Sequence, residues 1–185
     1  MNFRKPDQPA QRYSGLDFLD DQFYSDNRYW RITPIEGGFG CFLNGSIYLT
    51  EKDRRMDSIY LEMASTWSRN SSCKRAQVGC LIVKNKSIIS DGYNGSPTGF
   101  PNNCEDSENN TLSWVLHAEA NAITKLSKST LSSDGSTLYV TMSPCFECSK
   151  LIIQSGIKKV VFTELYRKRE SIPFLLMGGI EIVRF

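Results

Sequence analysis

Apolar and polar positions change their rhythm near residue 54. From Arg54 onward, Met56, Ile59, Tyr60, Met63, Ala64 and Trp67 recur at three- and four-residue spacing, which predicts a helix with one apolar face. Two apolar, β-branched runs follow, Gln77 to Lys84 and Ser87 to Tyr93, and Asn85-Lys86 between them predicts a hairpin. Leu116, Ala120, Ile123 and Leu126 return to helical spacing in a helix beginning near His117. Ser136 to Met142 reads as a strand, and a second helix runs from Cys145 to about Gln154, with Gly156 suited to its C-terminal cap. A strand from Lys158 to Thr163, a short helix from Ile172 to Met177 and a last strand from Ile180 to Phe185 complete the pattern. Strands alternating with helices predict a three-layer α/β/α sandwich on a mixed sheet of about five strands.

The first fifty residues read differently. Residues 1–28 are polar and proline-bearing, and the aromatic-acidic stretch from Tyr13 to Tyr29 has no clear period. Tyr29 to Ile35 reads as a short strand. Phe39 to Leu43 and Ser46 to Thr50 flank Asn44-Gly45, two residues that tolerate positive φ and so predict a hairpin. The pattern divides the chain into an N-terminal extension, residues 1–53, forming a small β appendage without evident chemistry, and a domain at 54–185.

The chemistry sits in the second part. His117-Ala118-Glu119 is followed, 28 positions after His117, by Cys145 of Pro144-Cys145-Phe146-Glu147-Cys148. One imidazole and two thiolates supply three ligands to Zn²⁺ and leave the fourth tetrahedral position for water, the arrangement of a catalytic rather than a structural zinc. Glu119 lies close to the metal without being needed to bind it, where a carboxylate can move protons between water and a leaving group. A lone Cys-x-x-Cys also fits a redox pair or half a zinc knuckle. Here there is no second such pair, and His117 is the sole histidine, which excludes a histidine-rich structural site. Both halves of the site fall at predicted helix starts, where unpaired N–H groups and the positive dipole end favour thiolate.

Composition narrows the reading further. With 22 Lys and Arg against 20 Asp and Glu, the formal charge of +2 gives no support to an extended nucleic-acid face. No stretch approaches the ~20 apolar residues that span a bilayer. Met1 to Asp7 lacks the apolar core of a signal peptide, so a cytoplasmic location is expected. Cys41, Cys73, Cys80 and Cys104 show no framework spacing, and reduced thiols are expected.

His-x-Glu with Pro-Cys-x-x-Cys is the signature of zinc nucleobase deaminases. The chain resembles the cytidine deaminase superfamily, and within it the deoxycytidylate (dCMP) deaminases. The resemblance is carried by Arg75-Ala-Gln-Val-Gly79, Gly92-Tyr-Asn-Gly-Ser-Pro97, His117-Ala-Glu-Ala-Asn-Ala122, Tyr139 to Cys148 and Gln154 to Lys159, and it covers about residues 54–185. It implies a cytidine-deaminase-like fold. It further implies His117, Cys145 and Cys148 as zinc ligands, Glu119 as proton shuttle, the Ala118 N–H on the base carbonyl and the Ser143 carbonyl on the exocyclic amine. Asn94 would contact the deoxyribose, and Arg75, with Tyr166 and Arg167, would form the phosphate and substrate-closing contacts. Asn94 also fits a simple turn residue, and Arg75 and Arg167 also fit solvated charges, as do Lys74, Lys168 and Arg169. Trp114 and Phe100 fit packing as well as base stacking. Many dCMP deaminases hold further histidines and cysteines before His-Ala-Glu, some of which bind a second zinc. Here that interval holds only Cys104, so one zinc is expected. Regulation by dCTP and dTTP and a hexameric homo-oligomer are further implications of the family. Other substrates weighed against dCMP are dCTP, cytidine and adenosine in tRNA. From a different class stands a non-catalytic, zinc-stabilised interaction module, for which Glu119 would have no use.

Overall fold

The computed structural model describes residues 11–25, 30–43 and 50–185. Its strands are β1 (Gln11–Tyr13), β2 (Trp30–Ile35), β3 (Gly38–Leu43), β4 (Gly79–Lys84), β5 (Ser87–Tyr93), β6 (Thr137–Met142), β7 (Lys159–Glu164) and β8 (Glu181–Arg184). The helices are α1 (Asp21–Ser25), α2 (Glu51–Ser68), α3 (Ala118–Leu126), α4 (Phe146–Gln154) and α5 (Ser171–Met177). One sheet runs in the order β1-β3-β2-β8-β7-β6-β4-β5. Strands β6, β7 and β8 are parallel, and every other pairing is antiparallel.

Alternation along the central strands sorts their side chains into two cores. Cys80, Ile82, Leu138, Val140, Val160, Phe162 and Ile182 face α3, α4 and α5, whereas Leu81, Val83, Tyr139, Val161 and Val183 face α2. The three-layer sandwich expected from the sequence is therefore present, and its five central strands β4 to β8 are those read from residues 54–185. Asn85 and Lys86 adopt φ of 51° and 65°, the left-handed pair that closes the β4–β5 hairpin. Gly156 at φ 77° ends α4 as expected.

Three details differ. The apolar face read for α2 is rotated: Asp57, Tyr60, Leu61, Ala64 and Ser68 are buried, while Ile59, Met63 and Trp67 are exposed. The buried Asp57 turns inward because Tyr139 donates to it at 2.6 Å and Lys159 pairs with it at 2.9 Å. Phe39 to Leu43 pairs backward with Trp30–Ile35 around Glu36-Gly37, where Gly37 takes φ 77°, and the Asn44-Gly45 hairpin with its strand at 46–50 falls largely outside the described residues. The N-terminal strands also join the sheet and raise its count from about five to eight, because β2 pairs antiparallel with β8 and Arg31 reaches Glu181 at 3.0 Å.

Two glycines set the distance between sheet and helices. A Cβ on Gly79 would lie 1.9 Å from the Ala64 carbonyl oxygen of α2, and one on Gly92 would lie 2.2 Å from the Ala118 oxygen and 2.7 Å from the Ala122 nitrogen of α3. Those neighbours are backbone and cannot turn aside. Gly92→Ala is expected to lower the unfolding free energy by about 1–3 kcal/mol or more, as overpacking does, and to displace α3. Gly95→Ala, whose Cβ would meet only the Tyr93 ring at 3.9 Å, should be close to neutral. Urea denaturation of the two variants checks the contrast.

Candidate active site

The antiparallel and parallel halves of the sheet meet so that several functional segments share one edge. Strands β6 and β7 end at Met142 and Glu164, and β4, running opposite to β6, begins there at Gly79. Strand β5 returns to the same edge at Tyr93. Ligands commonly bind outside the carboxyl ends of parallel strands, and a cavity of about 440 Å³ opens here.

Two helix starts form its inner end. His117 is the N-cap of α3 and Cys145 the N-cap of α4, both with extended backbones. The Cys145 and Cys148 sulfurs lie 3.3 and 3.5 Å from His117 Nδ1, and the three ligand atoms fall within 4.8 Å of one another. A tetrahedral zinc with ordinary Zn–N and Zn–S bonds separates such ligands by about 3.6 Å, so the donor set and its spacing fit Zn²⁺. Cys145 lies well below the ordinary thiol range because the Cys148 thiol and His117 both hydrogen-bond to it, and the same contact together with burial pushes Cys148 up. The Cys148 N–H also points at the Cys145 sulfur, at 3.5 Å.

Glu119, one residue into α3, is 4% exposed. Burial pushes its carboxyl up to about 7, outweighing a backbone hydrogen bond and the attraction of His117. At that value the group both accepts and returns a proton near neutrality.

The cavity brings together all the residues expected around the substrate. Arg75, Asn94, Ala118, Ser143, Tyr166 and Arg167 line it with His117, Glu119 and Cys145, while Cys148 sits buried behind them. As the first residue of α3, Ala118 has no intrahelical carbonyl for its N–H. Ser143 donates its N–H to the Glu164 carbonyl at 2.7 Å, and its hydroxyl accepts the Tyr166 N–H at 2.8 Å, which ties the end of β6 to the turn after β7. The Asn94 amide both donates to the Ala76 carbonyl and accepts from the Val78 N–H, each at 2.8 Å, so it holds the lead-in to β4 as well as lining the cavity. Arg75 and Arg167 are both exposed at the rim. Lys74, Lys168 and Arg169 are outside the lining, and Phe100 and Trp114 pack on each other at 6.1 Å, also outside it. Glu147 pairs with Lys150 on the solvent side of α4.

Residues 54–164 match the family profile described as the cytidine and deoxycytidylate deaminase zinc-binding region. The chain belongs to that family. It is 32% identical over 155 residues to a deoxycytidylate deaminase of Saccharomyces cerevisiae, covering 74% of this chain and 49% of the yeast protein. With the deoxycytidylate deaminase of Enterobacteria phage T4 it shares 35% over 168 residues, 68% of this chain and 87% of the phage protein. Against the crystal structure of a dCMP deaminase from cyanophage S-TIM5 in complex with dCMP and dUMP, the TM-score is 0.70 at 42% identity, over 75% of this chain and all of the other. The chain spans about half the length of its yeast relative and 64% of a probable deoxycytidylate deaminase from Caenorhabditis elegans. The zinc deaminase fold is thus a family feature here, and His117, Cys145 and Cys148 all lie within the matched region.

One wall of the cavity was not legible in the residues. Cys73 and Cys104 form a disulfide, which corrects the expectation that all four remaining cysteines are reduced; Cys41 and Cys80 stay buried thiols. Their separation of 31 positions gives no framework signal, and the pairing follows from a loop that folds back on residues 71–76. The Glu105 carboxylate accepts the Lys74 and Arg75 N–H groups at 3.0 and 3.2 Å, and Arg75 donates to Thr111 at 3.2 Å. Cys73, Glu105, Thr111 and Val115 therefore line the cavity without any motif to announce them.

Among the described residues, His117, Cys145 and Cys148 form the one cluster suited to a metal ion. Metal analysis is expected to give one zinc per chain, and Cys148→Ala should lose it. Full zinc retention in that variant, or two zincs per chain, would overturn the assignment.

Proposed function

We propose that the protein hydrolyses dCMP to dUMP and ammonia. The observation that carries this reading is one cavity lined by His117, Cys145 and the buried Glu119, with Cys148 behind them, and by the exposed Arg75 and Arg167. A pyrimidine entering ring-first would leave a 5′-phosphate between the two arginines, whose planar groups suit charge-assisted, paired hydrogen bonds. The cavity volume is within the range of small-molecule sites.

His117, Cys145 and Cys148 would hold zinc, which supplies the Lewis acidity that makes water a competent nucleophile near neutral pH. Glu119 takes a proton from that water and delivers it to the ring nitrogen next to the attacked carbon. The water oxygen bonds to that carbon as a hydroxyl, whose proton then passes through the same carboxyl to the amine; the C–N bond breaks as the C=O bond forms, and ammonia leaves. The Ala118 N–H orients the base carbonyl, the Ser143 carbonyl accepts the exocyclic amine, and Asn94 faces the sugar. Cytoplasmic residence, hexameric assembly and control by dCTP or dTTP rest on the sequence reading and the family resemblance, and the exposed Ile59, Met63 and Trp67 of α2 are compatible with assembly.

Comparing ammonia release from dCMP, dCTP, deoxycytidine, cytidine and tRNA tests the substrate, with dCMP expected to lead. Replacing Glu119 by Gln should preserve zinc and fold while cutting turnover by at least about 10²–10⁴-fold, the contribution of a positioned acid–base group. Near-normal turnover of that variant would sink the mechanism. Arg75→Ala or Arg167→Ala should lower kcat/KM for dCMP far more than for deoxycytidine. Equal losses on both substrates would show that neither arginine reads the phosphate.

A further inference from the structure

Two parts of the chain lie outside the matched family region at 54–164: residues 1–53, and residues 165–185, whose opening turn at 165–170 carries Tyr166 and Arg167. They are in contact. Arg169 Nη1 donates to the Asp21 carboxylate of α1 at 3.2 Å, and its guanidinium lies over the Tyr24 ring at 5.1 Å. Tyr24 is itself fixed. Its ring is buried edge-on against Phe23 at 5.5 Å and Trp30 at 6.5 Å, and Trp30 meets Phe162 of β7 at 5.7 Å. Leu165 packs on the same core as Leu16, Phe18, Leu19 and Phe23. The segment that braces Arg169 is therefore anchored to the strand from which the turn emerges.

The turn has an attachment on either side of Arg167. Before it, the Tyr166 N–H is held by Ser143 Oγ at 2.8 Å; after it, Arg169 is held by α1. Arg167 between them is exposed, with its guanidinium 5.8 Å from the Tyr166 ring centre. We propose that the N-terminal segment positions the substrate-closing turn: Tyr24 and Asp21 hold Arg169, and this keeps Tyr166 and Arg167 over the cavity mouth. The proposal rests on the reading above that these two residues meet the nucleotide phosphate. Asp21 is fully exposed, so its ion pair contributes little. The buried ring face under the guanidinium is the stronger attachment. Arg169 and Tyr24 are positioning residues, remote from Glu119 and the ligand triad. Freeing the turn would lower the fraction of molecules ready to bind and so weaken nucleotide affinity in proportion, leaving the chemical step alone. Among the described residues the buried Tyr24 hydroxyl has no hydrogen-bond partner, and the ring is what meets the guanidinium.

The test uses the full, zinc-loaded chain, with KM and kcat for dCMP, Kd for dUMP, and amide hydrogen exchange as readouts. Arg169→Met and Tyr24→Leu should each raise KM and Kd about three- to ten-fold, keep kcat within about two-fold, and speed exchange at 165–170 but not in α3. Tyr24→Phe should match the parent, Arg169→Lys should rescue part of the loss, and the double variant should be no worse than either single one. If Tyr24→Leu does not fold, Arg169→Met decides alone. Unchanged KM and exchange in Arg169→Met would overturn the proposal, as would equal losses in kcat and affinity with exchange quickened throughout α3 and α4. Should the parent protein fail to turn over dCMP, the proposed function falls, while the exchange measurements still decide whether the brace exists.

Discussion

The meeting of two helix first turns at the carboxyl edge of the parallel strands is the constraint from which the rest of the site follows. His117 and Cys145 are N-caps, so their side chains leave the backbone just where unpaired N–H groups converge. Bringing these caps within ligand distance requires α3 to lie on the sheet closer than any side chain permits, and Gly92 provides that approach against the Ala118 carbonyl and the Ala122 nitrogen. Glu119 stands in the first turn of the same helix, and burial is what raises its carboxyl towards neutrality. The close approach of β5 and α3 thus places His117 and Glu119 together, and α4 brings Cys145 and Cys148 to them.

The outer end of the cavity is built on other terms. Its arginines stand on connecting segments, and those segments are held by discrete attachments: Glu105 to the Lys74 and Arg75 N–H groups, the Cys73–Cys104 bond, Ser143 to Tyr166, and Arg169 to α1. Closing a loop of this length covalently restricts the unfolded chain by about 3–4 kcal/mol in the chain-entropy account. The deep end is fixed by packing and the rim by ties, a division that suits a rigid reaction centre beneath a recognition surface.

How much of this the residues disclosed depends on the range of the interaction. Local periodicity located α2 to α5 and β4 to β8, and the short motifs His117-Ala-Glu119 and Cys145-Phe-Glu-Cys148 named the donors and the carboxylate that the fold brings together, because each signal lies within a few residues. The buried face of α2 was misread since Asp57 is satisfied by Tyr139 and Lys159, 82 and 102 positions away. The Cys73–Cys104 bond and the cavity-lining Glu105 were missed for the same reason, and so was the joining of β2 to β8. Long-range pairings leave no period to count.

That last pairing bears on what happens when the chain is shortened. Strand β8 is buried in the middle of the sheet only because β2, β3 and β1 lie beyond it. Without them its unpaired N–H and C=O groups would face solvent beside the uncovered Phe162 and Ile182, a ready template for another chain to pair with. Among the described residues, that side of the sheet ends instead in β1, Gln11–Tyr13. The N-terminal strands therefore cover the free edge of β8, and a chain that began at residue 54 would leave that edge, and the Phe162 face now under Trp30, open to solvent or to another copy.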